Sequence, residues 1–311
     1  MFSYWQTGQI EPIPFAQLLS IGRQLRRYTS GVPIQLIAMD IDGTLLDSRS
    51  QLPSQNAEAV ADAASAGIEI VIVTGRRFHS ARLIAEQLPC ETKLIVSNGA
   101  LVKSMSGQTH LRTLLPAETA RRVLDATEQF RPMSAVIFDR PAEGQVVFER
   151  IDWEGRFVGP YLRRHRHQVL EVAPLANCLN GEDPVEVMFI GECARIRAAM
   201  SKLESLEFRA DYTLALTEYL QSGLAMLDVL GRGVTKGSTL AAWAALRRIP
   251  RDNVMAIGDN WNDREMLEYA GLPVVMANCV EELKSLGWVM TLSNDECGVA
   301  KAIRQHALRN G

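Results

Sequence analysis

Two acidic residues flank a single apolar one in Asp40-Ile41-Asp42, directly after an apolar run. In extended backbone, side chains two apart point the same way, so both carboxylates are expected to face one pocket while Ile41 turns away. Such a pair suits two jobs: one group can bind a hard cation and attack as a nucleophile, and the other can serve as general acid and base. Gly43 then permits a sharp turn. A calcium-binding loop starting at Asp40 would need Gly at its sixth position and Glu at its twelfth. Those positions hold Leu45 and Gln51, which excludes it.

Three further segments carry polar groups of the same kind. Thr74-Gly75-Arg76 combines a hydroxyl with a glycine amide, a pairing that binds anionic oxygens, although Arg76 and Arg77 equally suit a solvated pair opening the next helix. Lys236, in Gly233-Val234-Thr235-Lys236-Gly237-Ser238, can neutralise a phosphoryl group and the carboxylate attacking it. A phosphate-binding P-loop is excluded because Val234-Thr235, not Gly, precedes this Lys, and a dinucleotide fingerprint fails because Lys236 stands where its third glycine would be. Gly258-Asp259-Asn260-Trp261-Asn262-Asp263 adds two carboxylates four residues apart. Oxygen ligands with room for water suit Mg²⁺, and four converging aspartates without a cation would repel one another.

These segments need a scaffold that brings them together. Residues 34–41 read as a buried strand, 54–66 as an Ala-rich helix stopped by Gly67, and 68–73 as a second strand, which makes a parallel βαβ unit. A helix over 80–88 and a strand over 93–96, ending at Ser97-Asn98-Gly99, continue the cycle. After a long interruption it resumes with a helix over 239–246 and strands over 255–258 and 272–276. In a doubly wound α/β sheet, ligands bind outside the carboxyl ends of the strands, so Asp40, Asp42, Thr74, Asn98 and Asp259 are expected on one rim. Between 102 and 224 the rhythm changes to short alternating runs at 135–138 and 146–149, a strand at 185–190 and an amphipathic helix over 194–206. The expected organisation is an extension over 1–32 with a basic amphipathic helix over 15–28, a core over 33–101 and 225–311, and an inserted α+β module over 102–224.

The segments D-I-D-G-T-L-L, V-T-G-R, S-N-G-A, Lys-Gly and G-D-N-W-N-D, in that order at strand ends, resemble the motifs of the haloacid dehalogenase superfamily of aspartate-nucleophile phosphatases. The place and size of the insert look like the α+β cap of its Cof-type branch, and the resemblance covers residues 34–308. It implies that Asp40 attacks phosphorus to form an aspartyl-phosphate, and that Asp42 protonates the leaving oxygen and then activates water. It also implies a Mg²⁺ ion held by Asp40, the Asp42 backbone carbonyl and Asp259, with Asp263 orienting through a metal-bound water. Thr74, Gly75 and Lys236 would hold the phosphoryl group with Asn262 contacting it, and Asn98, Gly99 and Arg76 would line the site near the cap hinge. The N-terminal extension departs from the family pattern.

Composition narrows the partners. Thirty-three Lys and Arg against 36 Asp and Glu give a formal charge of -3, which offers no global positive field for nucleic acid or an acidic membrane. The apolar and charged fractions, 47% and 22%, are those of a folded globular protein. Five scattered cysteines without a C-x-x-C pair, no basic-apolar leader and no apolar run of membrane-spanning length point to a cytoplasmic protein with reduced thiols. The basic run Arg163-Arg164-His165-Arg166-His167 reads as a solvated face of the insert, the alternative being contact with a second anionic group. The expected activity is Mg²⁺-dependent hydrolysis of a small phosphorylated metabolite, with sugar phosphates ahead of nucleotides and phosphorylated cofactors. A phosphomutase and a phosphometabolite-binding protein without turnover are the alternatives.

Overall fold

Four successive residues without accessible surface, Leu36–Met39, form the first strand, β1. The computed structural model describes residues 33–141, 143–155, 159–164, 166–219 and 222–308, and the expected N-terminal extension with its helix lies outside them. In chain order the other strands are β2 (Glu69–Val73), β3 (Thr92–Val96), β4 (Leu101–Ser104), β5 (Thr109–Arg112), β6 (Ser134–Ile137), β7 (Val146–Phe148), β8 (Val169–Glu171), β9 (Glu186–Glu192), β10 (Tyr212–Tyr219), β11 (Leu224–Gly231), β12 (Val254–Gly258), β13 (Leu272–Val275) and β14 (Val289–Met290). The helices that matter below are α1 (Ser54–Ser65), α2 (Phe78–Ala85), α3 (Ala117–Ala126), α4 (Cys193–Glu204), α5 (Lys236–Leu246) and α6 (Gly298–His306).

The strands form two sheets. The first runs β14-β13-β12-β1-β2-β3-β4-β5, and every pair from β14 to β3 is parallel. Strand β1 lies between β12 and β2, so the chain winds away from it in both directions and a crevice opens at its carboxyl end. Apolar residues of the sheet such as Leu36, Val71, Ile95 and Ala256 pack against Leu240 and Trp243 of α5. The fold is α/β with a doubly wound core. No helix among the described residues is long and apolar enough to cross a membrane.

The second sheet runs β10-β11-β9-β6-β7-β8, antiparallel except for the β7 and β8 pair. One of its faces, carrying Val136, Phe189 and Leu227, packs on α3 and α4 through Val123, Leu124, Ile196 and Leu203. Alternate residues of the same strands therefore point the other way.

Three expectations shift. Strands β4 and β5 belong to the first sheet, because the chain reverses over Ser97–Gly99 and returns antiparallel along β3. Strand β11 belongs to the second, although its apolar run resembles a buried core strand, because it pairs antiparallel with both β9 and β10. The chain therefore leaves the first sheet after Arg112 and the second after Gly231, not near 102 and 224. Helix α5 also starts earlier than 239, because the Thr235 hydroxyl caps it by accepting from the Ser238 amide at 3.0 Å, which makes Lys236 its first residue.

Phe189 has no accessible surface and fills the centre of the second sheet's core. Phe189→Ala is expected to cost about 3–5 kcal/mol, through lost burial and the cavity left behind. Urea unfolding checks this, and a loss below about 1 kcal/mol would place Phe189 outside the packed core.

Candidate functional site

The chain leaves β1 at Asp40 with extended backbone (φ -74°, ψ 167°) and enters a wide turn over Ile41–Leu45, closed by the Leu46 amide donating to the Ile41 carbonyl at 3.0 Å. The strand ends at Met39, so this turn, and not strand alternation as expected, sets the directions of Asp40 and Asp42. Gly43 sits at φ +79°, and a Cβ there would stand 2.3 Å from Asp259 Oδ2, so both the turn and the packing of Asp259 need glycine. Three asparagines clamp the turn's carbonyls: Asn278 donates to Gly43 at 2.8 Å, Asn56 to Leu45 at 3.0 Å and Asn294 to Leu46 at 2.9 Å. Thr44 fixes the far carboxylate by donating to Asp259 Oδ1 at 2.7 Å.

Lys236 reaches into this region from the first turn of α5. Its ammonium donates to Asp40 Oδ1 at 2.7 Å and to Asp263 Oδ1 at 2.6 Å, with all three groups buried. The other oxygen of Asp263 accepts from the amides of Asp259 and Asn260, each at 3.0 Å, which folds the loop after β12 around it. Burial pushes the Asp40 carboxyl up to about 7, with Asp263 and Asp42 adding to the effect of burial and Lys236 opposing it. Burial, then Asp263 and Asp40, hold Asp259 well above the usual carboxylate range. Burial works to lower the Lys236 pKa, but Asp263 and Asp40 outweigh it and keep the ammonium charged. One oxygen each from Asp40, Asp259 and Asp263 lies within 4.8 Å of the others. An all-oxygen set with three carboxylates against one ammonium fits a hard divalent cation.

Asp42 has a different fate. Arg76 grips its carboxylate with both arms, Nε to Oδ2 at 2.7 Å and Nη2 to Oδ1 at 2.5 Å, and both side chains are partly exposed. Arg76 is thus not a solvated residue, and Asp42 stands at the mouth of the site while Asp40 lies at its floor. Thr74 is buried, and its hydroxyl accepts from the Arg76 amide at 3.1 Å. The exits of β2 and β3 are stitched by Asn98 N to Thr74 O at 3.1 Å and Ser97 N to Arg76 O at 3.0 Å. Gly75 lies against the Asn98 amide group, and the Gly99 carbonyl accepts from Thr239 of α5 at 2.7 Å.

The second sheet reaches the same place. Asn262 donates to Asn98 Oδ1 at 3.2 Å and to Thr217 of β10 at 3.3 Å, and Asn98 donates to Asp228 of β11 at 2.8 Å. Tyr219, at the end of β10, has its phenol pKa raised by burial and then by the charges of Asp42 and Asp40. Sequence reasoning missed Thr217, Tyr219, Asp228 and the three clamping asparagines, which no local pattern marks, and gave no role to Thr44 although it lies within the D-I-D-G-T-L-L segment. Two members of the basic run pack on Trp153: Arg163 bonds its carbonyl, and Arg166 lies 5.1 Å over its ring.

Asp228 has a buried neighbour on the same face, Glu186 of β9, and each carboxylate has one oxygen without a hydrogen-bond partner among the described residues. Burial pushes Asp228 up to about 7, while burial and the Asp228 charge hold Glu186 well above the usual range, with Arg77 opposing. One proton between the two groups relieves their repulsion.

A family model for haloacid dehalogenase-like hydrolases matches residues 37–303. Phosphatase YwpJ of Bacillus subtilis is 28% identical over 289 residues, 87% of this chain and 99% of that protein. The pyridoxal phosphate phosphatase YbhA of Escherichia coli is 26% identical over 281 residues, 88% of this chain and 99% of that protein. A solved haloacid dehalogenase-like hydrolase of B. subtilis superposes with a TM-score of 0.73 at 26% identity, over 87% of this chain and 99% of that one.

The raised Asp228 pKa has a signed consequence. A carboxyl that binds its proton more tightly folded than unfolded contributes stability below its ordinary value of 3.8, and that contribution is lost as pH rises through about 7. Asp228→Asn keeps an acceptor for Asn98 and removes the titration, so the variant should lose less stability than the wild type between about pH 4 and about pH 8. Urea unfolding across that range checks it, and parallel curves for the two proteins would contradict it.

Proposed function

The chain belongs to the haloacid dehalogenase-like hydrolases and is a phosphoric monoester hydrolase, and from that premise we propose that it cleaves small phosphorylated metabolites by attack of Asp40 on phosphorus. The observation that carries this reading is the buried ammonium of Lys236 shared between Asp40 and Asp263 beside Asp259, with Asp42 held apart at the mouth by Arg76. A nucleophile on the floor and a proton carrier at the entrance are placed for an in-line displacement.

In the proposed reaction the Asp40 carboxylate forms a bond to phosphorus as the bond to the leaving oxygen breaks, and Asp42 gives that oxygen a proton. Asp42 then takes a proton from water, whose oxygen attacks the aspartyl-phosphate and releases inorganic phosphate and free Asp40. Lys236 neutralises charge on the phosphoryl oxygens and on Asp40, while Thr74, Gly75 and Asn262 hold the phosphoryl group. Arg76 fixes the direction of the Asp42 carboxyl. Asp40, Asp259, Asp263 and the Asp42 backbone carbonyl would hold Mg²⁺, whose charge offsets the surplus of carboxylates and draws Asp40 towards its ionised form.

The stretch from the end of β5 to the end of β11 is proposed as a cap, supported by its separate sheet and by the approach of Thr217 and Tyr219 to the site. Asn98 and Gly99 then stand near its hinge. Sugar phosphates are the first substrates to test, followed by nucleotides and phosphorylated cofactors, and the proposed setting is the cytoplasm.

Phosphate release from p-nitrophenyl phosphate and a panel of these esters is expected with Mg²⁺ and not with EDTA. Asp40→Asn should abolish it while leaving the unfolding midpoint near that of the wild type; an active variant would remove Asp40 as nucleophile. Release of free phosphate also separates a hydrolase from a mutase. Asp42→Asn should slow turnover about 10²–10⁴-fold, most on substrates with poor leaving groups. Wild-type rates on such esters would rule out its acid and base role.

A further inference from the structure

A cavity of about 400 Å³ opens between the start of α2, β4 and the connection from β6 to β7, and none of Asp40, Asp42, Thr74, Lys236 or Asp259 lines it. Its walls carry four cationic side chains, Arg77, Arg82, Lys103 and Arg140, against a single carboxylate, Asp139. We propose that this cavity binds an anionic group, carboxylate or phosphate, of a small metabolite at a place distinct from the phosphoryl centre.

The cations are built into the fold. Lys103 is only 6% exposed, pairs with Asp139 at 2.8 Å and lies 5.2 Å from the centre of the Phe78 ring. Arg77 lies 3.3 Å from the side-chain oxygens of both Gln145 and Gln168, and its charge also acts on buried Glu186. Arg140 pairs with Glu182 and stacks 4.0 Å over Phe138, and Arg82 pairs with Glu86 at 2.7 Å. Glu86 and Glu182 offset Arg82 and Arg140 from outside the cavity wall, while within the lining four cations stand against the one carboxylate of Asp139. The first turn of α2, which has no side-chain cap among the described residues, adds the field of its N-terminal amides at Phe78 and His79. Asp139 offsets Lys103, but the three arginines on the same walls leave the lining with more positive than negative groups, and about 400 Å³ is the size of a small-molecule site, not of a lone ion.

Occupancy has a short route to the reacting groups. Arg77 and Ser97 line the cavity, and their chain neighbours Arg76 and Asn98 hold Asp42 and Asn262. The anion can belong to the far end of the substrate or to a separate effector; only the first case rests on the phosphatase reading.

The test uses the full chain and two variants, Lys103→Gln and the less buried Arg140→Gln, which guards against misfolding of the first. Tricarballylate, a tricarboxylate with no phosphoryl group, is the effector probe. The matched substrate probes are a hexose monophosphate and the corresponding phosphogluconate, which adds one carboxylate at the far end. An effector site predicts that tricarballylate raises the melting temperature of the wild type and that the variants lose this rise. A substrate subsite predicts that kcat/KM for the phosphogluconate relative to the hexose phosphate falls about tenfold in the variants. Either result supports the site. A thermal rise retained by both variants or absent from the wild type, together with an unchanged substrate ratio, overturns it. Failure of every ester to release phosphate, with the variant-sensitive thermal rise intact, would overturn the phosphatase reading and leave this site standing.

Discussion

One buried ammonium holds the reacting end of this protein together. Lys236 enters from the first turn of α5, meets Asp40 from the end of β1 and Asp263 from the loop after β12, and so ties three separate stretches of chain at a point without solvent. Removing the ammonium would leave Asp40 and Asp263 buried without compensation, a change that typically costs about 3–5 kcal/mol, whereas neutralising Asp40 leaves Lys236 paired with Asp263. The arrangement remains short of positive charge, since Asp259 lies within reach of both aspartates and one ammonium faces three carboxylates. Burial and then mutual repulsion hold the pKa values of Asp40 and Asp259 above the usual carboxylate range. The same deficit that burdens the fold makes the site receptive to a cation and to the chemistry that needs one.

The two aspartates read together in the sequence have been separated by their surroundings. Asp40 lies buried against a lysine, whereas Asp42 lies part-exposed in the fork of an arginine. Identical side chains two residues apart thus acquire different tasks from the wide turn at Ile41–Leu45, which directs one inward and the other to the entrance. The second sheet meets this entrance through the hairpin of β10 and β11, where Thr217 bonds Asn262 and Asp228 bonds Asn98.

Much of the site was legible because its residues sit just after strands, and a parallel sheet gathers the carboxyl ends of its strands on one rim. Asp40, Thr74, Asn98 and Asp259 could be grouped by that rule, and the structure brings them to adjacent loops. What stayed hidden was whatever depends on a partner far along the chain. Asn56, Asn278 and Asn294 look like ordinary helix or loop residues until the carbonyls they meet are known. The boundary expected at 224 cuts β11 from its sheet, because an apolar run reports burial and not the strand beside which it lies. Strands β4 and β5 escaped notice because a two-strand return on the edge of a parallel sheet has no period of its own.

The three asparagine clamps on the turn also separate mechanical from electrical behaviour. Each uses a side-chain amide, a group that neither gains nor loses a proton across the range in which the neighbouring carboxylates titrate. Had aspartate or histidine done this work, protonation at the site would loosen the loop that carries it. With amides in these positions the backbone around Asp42 keeps its shape while the charges beside it change, so an acid or alkaline shift alters the reactivity of the groups without dismantling their frame.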